Sequence, residues 1–185
     1  LIQLPPNFSF DDHFENLSNF IDLWNKKVYE IVENSNEIQN KWRAVVEFRN
    51  ISWMKEDTFK LLNSKNVGYC SVIEPLIPPK FIITRKKKDL FYLRFHGYAK
   101  KPWWNYNFSQ KELDKWAIKL ERFFKKNQEC VHVIYFNNHF SGNAVKNALD
   151  IMPRLGINTE VELHDLQNEY CVKSSKKSKT LDRWM

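Results

Sequence analysis

Apolar residues along this chain recur in two rhythms, and the sharpest change from one to the other falls between Val131 and Ala148 (VHVIYFNNHFSGNAVKNA). Val131, Val133, Ile134, Tyr135 and Phe136 form a short, almost unbroken apolar and β-branched run, the pattern of a strand buried on both faces in a parallel sheet. Asn137, Asn138 and His139 interrupt it. Beyond Ser141 and Gly142, Ala144, Val145, Ala148, Leu149 and Met152 follow at helical spacing, with Ser141 as the natural N-cap. A strand that turns into a helix across so short a polar link is a βα unit of a parallel α/β fold. Links at this end of the strands are where such folds bind ligands.

The same grammar recurs upstream. Residues 1–4 form a strand stopped by Pro5 and Pro6. Asp11 or Asp12 then caps a helix whose stripe of Phe14, Leu17, Phe20, Ile21, Trp24, Val28, Ile31 and Val32 is expected to cover one face of a sheet. Residues 42–48 and 67–73 read as strands, with a short helix at 55–65 between them that turns Phe59, Leu61 and Leu62 inward. No helix is evident over 75–89, where Pro75, Pro78 and Pro79 punctuate the chain and Arg85, Lys86, Lys87 and Lys88 make a charge run, so an exposed loop is expected. Residues 90–95 are the fourth strand, and a polar, aromatic loop spans 97–108. Ser109 and Glu112 form a capping box for a helix bearing Leu113, Trp116, Ala117, Leu120, Phe123 and Phe124. Residues 131–136 are the fifth strand, and the helix at 143–152 ends at Pro153. From Gly156 the pattern dissolves into a tail with Lys173, Lys176, Lys177, Lys179 and Arg183.

Several short motifs carry a resemblance. YFNN followed by G-x-A and NA, within 135–148, resembles the closing strand and helix of the YecE-like family, also called domain of unknown function 72. VEFRNISW (46–53) is similar to the family's VEFRxxSW segment, and YLRFHG (92–97) to its YxRxHG segment. QLPP (3–6) and the WW…Y…ELxxW stretch (103–116) fit as well. These motifs run in the family's order. The resemblance implies a (β/α)8 TIM barrel without an established activity, of which this chain would hold strands four to eight. The expected fold is therefore α/β, an incomplete TIM-barrel-like array with five parallel strands of an expected eight. The domain reading is a barrel region at 1–156 and a basic extension at 157–185, partly disordered or packed on the surface. Five strands leave two open sheet edges and an uncovered interior, so a missing N-terminal segment that completes the barrel is an expected partner.

Composition narrows the setting. The chain has 185 residues, 43% of them hydrophobic and 15% aromatic, enough for one packed domain. Lys and Arg number 29 against 22 Asp and Glu, a formal charge of +7. That surplus favours anionic partners, either a small molecule or nucleic acid, and also serves solubility. Cys70, Cys130 and Cys171 are odd in number and widely spaced, which indicates neither a disulfide framework nor a zinc cluster. With no membrane-length apolar run and no basic, apolar leader, a cytoplasmic protein with no membrane partner is expected.

In a parallel barrel every strand delivers its C-terminal end to one face, and that face carries the active site. The polar residues at those ends are Gln3, Glu47, Arg49, Glu74, Arg94, His96, Asn137 and Asn138. Glu47 and Arg49, like Arg94 and His96, are two apart and share a side of their strand. Glu47 and His96 are the candidate catalytic pair, since a carboxylate kept dry can rise in pKa and His titrates near neutrality. Arg49 and Arg94 offer forked donors to a phosphate or carboxylate. Asn137 and Asn138 would orient the ligand, Ser141, Gly142 and Asn143 would offer a helix N-terminus to its phosphate, and Trp53, with Trp103, Trp104 and Tyr106, would stack over it. No cofactor and no metal is expected, because no ligand spacing demands one.

Against each role stands a plainer one: Glu47 paired with Arg49 or Arg94 as a buried network, His96 as a core histidine, the asparagines as caps and turns, and Trp53 as packing. The leading reading is a TIM-barrel protein that binds, and by acid-base chemistry processes, an anionic phosphate-containing ligand. Hydrolase and isomerase chemistry both stay open, as does whether it is an enzyme at all. The alternative is a non-catalytic nucleic-acid or nucleotide binder.

Overall fold

The computed structural model describes residues 1–35, 43–99 and 105–158. Five strands, β1 (Ile2–Gln3), β2 (Val45–Glu47), β3 (Gly68–Ile73), β4 (Leu90–Phe95) and β5 (Val131–Phe136), lie side by side in chain order. All four neighbouring pairs are parallel. Helices α1 (Phe10–Ser35), α2 (Glu56–Ser64) and α3 (Gln110–Lys126) alternate with the strands, and α4 (Asn143–Ile151) follows β5. Strands that advance always in one direction wind as a (β/α) barrel does, whereas a doubly wound sheet reverses its order. The sheet is not closed: β1 and β5 each pair on one side only among the described residues. The fold is therefore α/β, an incomplete TIM-barrel-like array.

Strand register sorts the side chains into two faces. On the convex face Val46, Phe48 and Tyr69 pack with Leu17 and Ile21 of α1 and Phe59 and Leu62 of α2. Further along, Phe91, Leu93 and Phe95 pack with Leu113, Trp116 and Leu120 of α3. The capping box expected for α3 is present, with Ser109 and Glu112 each bonding the other's backbone N–H. The concave face carries a smaller cluster of Val45, Cys70, Val72, Ile77 and Leu90, with Tyr92 and Val133 against it.

Four expectations about the scaffold are corrected. Helix α1 begins at Phe10 with Asp11 and Asp12 in its first turn; Ser9 precedes it, and its Oγ accepts from the Asp12 N–H at 3.4 Å. The α1 stripe divides: Leu17 and Ile21 are buried, while Phe20, Trp24 and Ile31 are exposed. A single helix rests on the sheet along only part of its length, so half of a long apolar stripe faces away. The 75–89 segment has no helix but is not simply exposed. Ile77, Thr84 and Arg85 are buried, Phe81 packs on Phe91, Trp116 and Phe123, and Arg85 Nε binds Asp89 at 2.7 Å. The segment fills the place of a crossover helix. Finally, β5 is not buried on both faces; Val131 and Tyr135 are exposed because β5 is an edge.

The boundary expected at residue 156 lies within the described chain, and most of the 157–185 extension lies outside it. Trp103 and Trp104 lie outside the described residues as well. No described helix is long and apolar enough to cross a membrane.

Candidate functional site

The β1–β2 register pairs Gln3 with Glu47, and the β3–β4–β5 register pairs Cys70 with Tyr92 and Tyr92 with Val133. Because side chains alternate faces, these residues form one row across the concave face. One step toward the strand C-termini come Val72, Arg94 and Tyr135 in register, with Arg49 two residues beyond Glu47. The last row, at the strand tips, continues that register through His96 and Asn137, with Glu74 in the bend just past β3. The backbone supports it: the His96 and Gly97 N–H groups both donate to Ile73 O, at 3.0 and 3.1 Å, and Asn137 N–H donates to Phe95 O at 2.7 Å.

Glu47 is the hub. It is 1% exposed, and its carboxylate meets donors from three strands and the β2 exit. Gln3 Nε2 donates to Oε1 at 3.0 Å, Arg49 Nε stands 3.5 Å from the same oxygen, and His96 Nε2 is 3.4 Å away. Arg94 donates through a terminal guanidinium nitrogen to Oε2, and the Cys70 thiol lies 3.8 Å from that oxygen. Burial pushes the Glu47 pKa up, but His96 and Arg94 beside it more than reverse the effect and hold it down at about 2. This is opposite to the rise expected for a dry carboxylate, and it leaves Glu47 ionised at every ordinary pH. Arg94 turns its Nε to Asn137 Oδ1 at 3.2 Å, so Asn137 belongs to the same cluster.

Glu74 differs. It is 8% exposed at the tip of β3 and has no hydrogen-bond or ion-pair partner among the described residues. Burial raises its pKa, and the Glu47 charge adds to that, while His96 and Arg49 pull the other way. Two carboxylates on one concave face are thus pushed in opposite directions by their surroundings.

Glu47, Arg49, Arg94, His96 and Asn137 therefore come together. The other candidates do not join them. Asn138, adjacent to Asn137, points to the opposite face and is fully buried; its Nδ2 donates to Tyr106 O and to Asn147 Oδ1, both at 2.7 Å. Asn147 in turn donates to Asn107 Oδ1 at 3.0 Å and accepts from Phe108 N–H at 3.1 Å. This amide set fastens the loop before α3 onto the β5–α4 turn. Trp53 is fully buried, stacked on Phe48 at 4.8 Å, with its indole N–H donated to Phe8 O at 2.7 Å; it is packing on the convex side. Tyr106 sits against Gly97, where an added Cβ would overlap its ring, and the Gly97 φ of +97° suits glycine.

The turn before α4 also differs from expectation. Gly142, at φ 73°, is the residue preceding α4, with no side-chain cap. Ser141 lies in a 3-10 turn (Phe140–Gly142) at φ 52°. Ser141 and Gly142 are exposed, and no hydrogen bond or ion pair joins Ser141, Gly142 or Asn143 to the Glu47 cluster among the described residues. No group of three or more His, Cys, Asp or Glu able to hold a metal ion occurs among the described residues.

Sequence reasoning missed two things here. Adjacent strand residues take opposite faces, a signal that separates Asn137 from Asn138. Cys70, Tyr92 and Tyr135, each an even step from an acknowledged site residue, could have been added by the same rule.

With this geometry in hand, comparison with known proteins is informative. A search of curated proteins gives no significant match. Among solved structures the chain is similar to a DUF72 family protein from Thermotoga maritima, with 25% identity, a TM-score of 0.62, and coverage of 83% of this chain and 56% of that one. It is also similar to a DUF72 family protein from Enterococcus faecalis, at 20% identity and TM-score 0.60, over 84% of this chain and 60% of that one. The chain thus spans between half and two thirds of the length of these structures. The family model described as "Protein of unknown function DUF72" matches residues 1–169. The chain belongs to the DUF72 family.

Proposed function

We propose that the strand-tip end of the concave face binds an anionic ligand carrying a phosphate group. Arg49 and Arg94 supply the forked donors, Asn137 orients the ligand through its amide, and His96 exchanges protons with it. Glu47 serves this site as a fixed anion: with its pKa near 2, it orients Arg94 and His96 and stays charged itself. Acid-base chemistry near neutrality then falls to groups around Glu47.

The observation that carries this reading is the charge balance on the concave face. Two guanidiniums stand on one ionised carboxylate, and Glu74 makes no ion pair with either of them among the described residues. One guanidinium is therefore left over after direct pairing, which favours an anion. Arg49 is the freer of the two, with its side chain 38% exposed, and can turn its terminal nitrogens toward a ligand while its Nε stays near Glu47.

Titration calorimetry with inorganic phosphate at pH 7 tests the reading. Saturable binding is expected, weakened at least about tenfold in Arg49→Ala, the loss typical of one charge-assisted hydrogen bond. The thermal midpoint of that variant should stay close to wild type, because Arg49 is half-exposed and Gln3 and Arg94 remain on the Glu47 carboxylate. Absence of saturable binding in the wild-type chain would overturn the proposal.

A further inference from the structure

Glu74 makes no bond to the cluster around Glu47, yet it stands one residue past the end of β3, near enough to His96, Glu47 and Arg49 for their charges to act on it. It is more than nine-tenths buried and lacks a hydrogen-bond or ion-pair partner among the described residues. Its oxygens are not among the buried unpaired atoms, so the carboxyl is open to a ligand that offers or accepts a proton. Every charged or titratable group within reach of it is already engaged or lies to one side: His96 on β4, Glu47 on β2, Arg49 beyond β2 and Tyr69 on β3.

We infer that Glu74 is the specificity-determining residue of the proposed anion site, holding a protonatable oxyanion, a phosphate monoester or inorganic phosphate, by sharing one proton with it. This rests on the anion-binding reading above and adds to it a choice among anions. The proton balance is simple. When Glu74 is protonated, its O–H donates to a ligand oxygen, and phosphate and sulfate are served alike. When Glu74 is ionised, it accepts a hydrogen bond from the P–OH of hydrogen phosphate. Sulfate has no proton to offer at neutral pH, and its oxygens then face a carboxylate that repels them. Phosphate keeps one shared proton in both states; sulfate loses it as Glu74 ionises.

The test is calorimetric titration of the whole chain with phosphate and with sulfate between pH 5 and 8, read as the ratio of the two affinities. The wild-type ratio should exceed that of Glu74→Gln by at least about tenfold at the alkaline end of the range, the value of one charge-assisted hydrogen bond exchanged for a repulsion. Glu74→Gln, which keeps the shape and a permanent donor, should bind sulfate well throughout, and its ratio should follow only phosphate's own second ionisation, which falls inside this range. Far-ultraviolet circular dichroism confirms that the variant is folded. A wild-type ratio that matches that of Glu74→Gln at every pH would overturn the role of Glu74 while leaving an anion site in place. Failure of the wild type to bind either anion at any pH would overturn both.

Discussion

The two faces of this sheet solve burial by different means. On the convex face, aromatic rings do most of the work: Phe95 stacks on Phe136 at 4.5 Å, Phe91 meets Phe123 at 4.5 Å and Phe48 lies on Trp53 at 4.8 Å. Each is buried by a helix or by the 75–89 segment, and the gain follows apolar area. The concave face is apolar only in part, through Val45, Val72, Leu90 and Val133. Toward the strand tips it turns to Glu47, Arg94, His96 and Glu74. A buried ion cluster is at best a weak stabiliser beside apolar residues of the same volume, and the valines of the same face show that such residues fit there. Charge at the strand tips therefore answers to something other than stability, in the position where parallel barrels carry their chemistry.

Breaking the convex face should cost most. Phe95→Ala removes a ring that is fully buried between Phe108, Trp116 and Phe136. A loss of about 3–5 kcal/mol is expected in urea unfolding, nearly the same at pH 3 and pH 7 because no titrating partner is involved. Glu47→Gln, on the other face, should cost about 3 kcal/mol at pH 7, because it leaves Arg94 without its buried counter-charge. This loss should depend on pH. The folded-state pKa of Glu47 is lowered from 4.5 to about 2, so its contribution is present in full above the unfolded value and is lost as pH falls between about 4.5 and 2. Stability curves of wild type and Glu47→Gln should therefore converge as the pH is lowered through that window. A constant gap down to pH 2 would mean that Glu47 acts by shape rather than by charge.

The same contrast explains what could be read from the chain in advance. Residues 90–95 and 131–136 match β4 and β5 residue for residue, because β-branched and aromatic runs bounded by polar turns leave little choice of element. The Ser109–Glu112 box is local chemistry and needed no tertiary information. Glu47, Arg49, Arg94 and His96 were legible as a set from their spacing of two and their place at the strand ends. What a residue does there was harder to read. The direction of the Glu47 pKa depends on Arg94 and His96, which lie 47 and 49 positions away in the chain. The roles of Trp53 and Asn138 were misread because both stand at strand exits, where the face a side chain takes is set by the turn that follows. The α1 stripe was legible as amphipathic, but how much of it meets the sheet depends on what lies beside it.

Asn138 and Asn137 bring the two faces to adjacent residues, and the finest test lies between them. Asn147 is fully buried, accepts from Asn138 Nδ2 and Phe108 N–H, and donates to Asn107 Oδ1 and Phe108 O. Asn147→Ala strands the Phe108 amide and one donor of Asn138 on the convex side, where water is excluded. The cost of leaving such groups unpaired is about 1–3 kcal/mol, the smallest of the three losses. Amide exchange at Phe108 should quicken with it, because that N–H loses its acceptor. Phosphate affinity should not change, since Asn137 reaches the concave cluster through Arg94 and has no bond to Asn147. A tenfold loss of phosphate binding in Asn147→Ala, with Phe108 still protected, would instead place Asn138 on the ligand's side of the sheet and dissolve the division between the faces at β5.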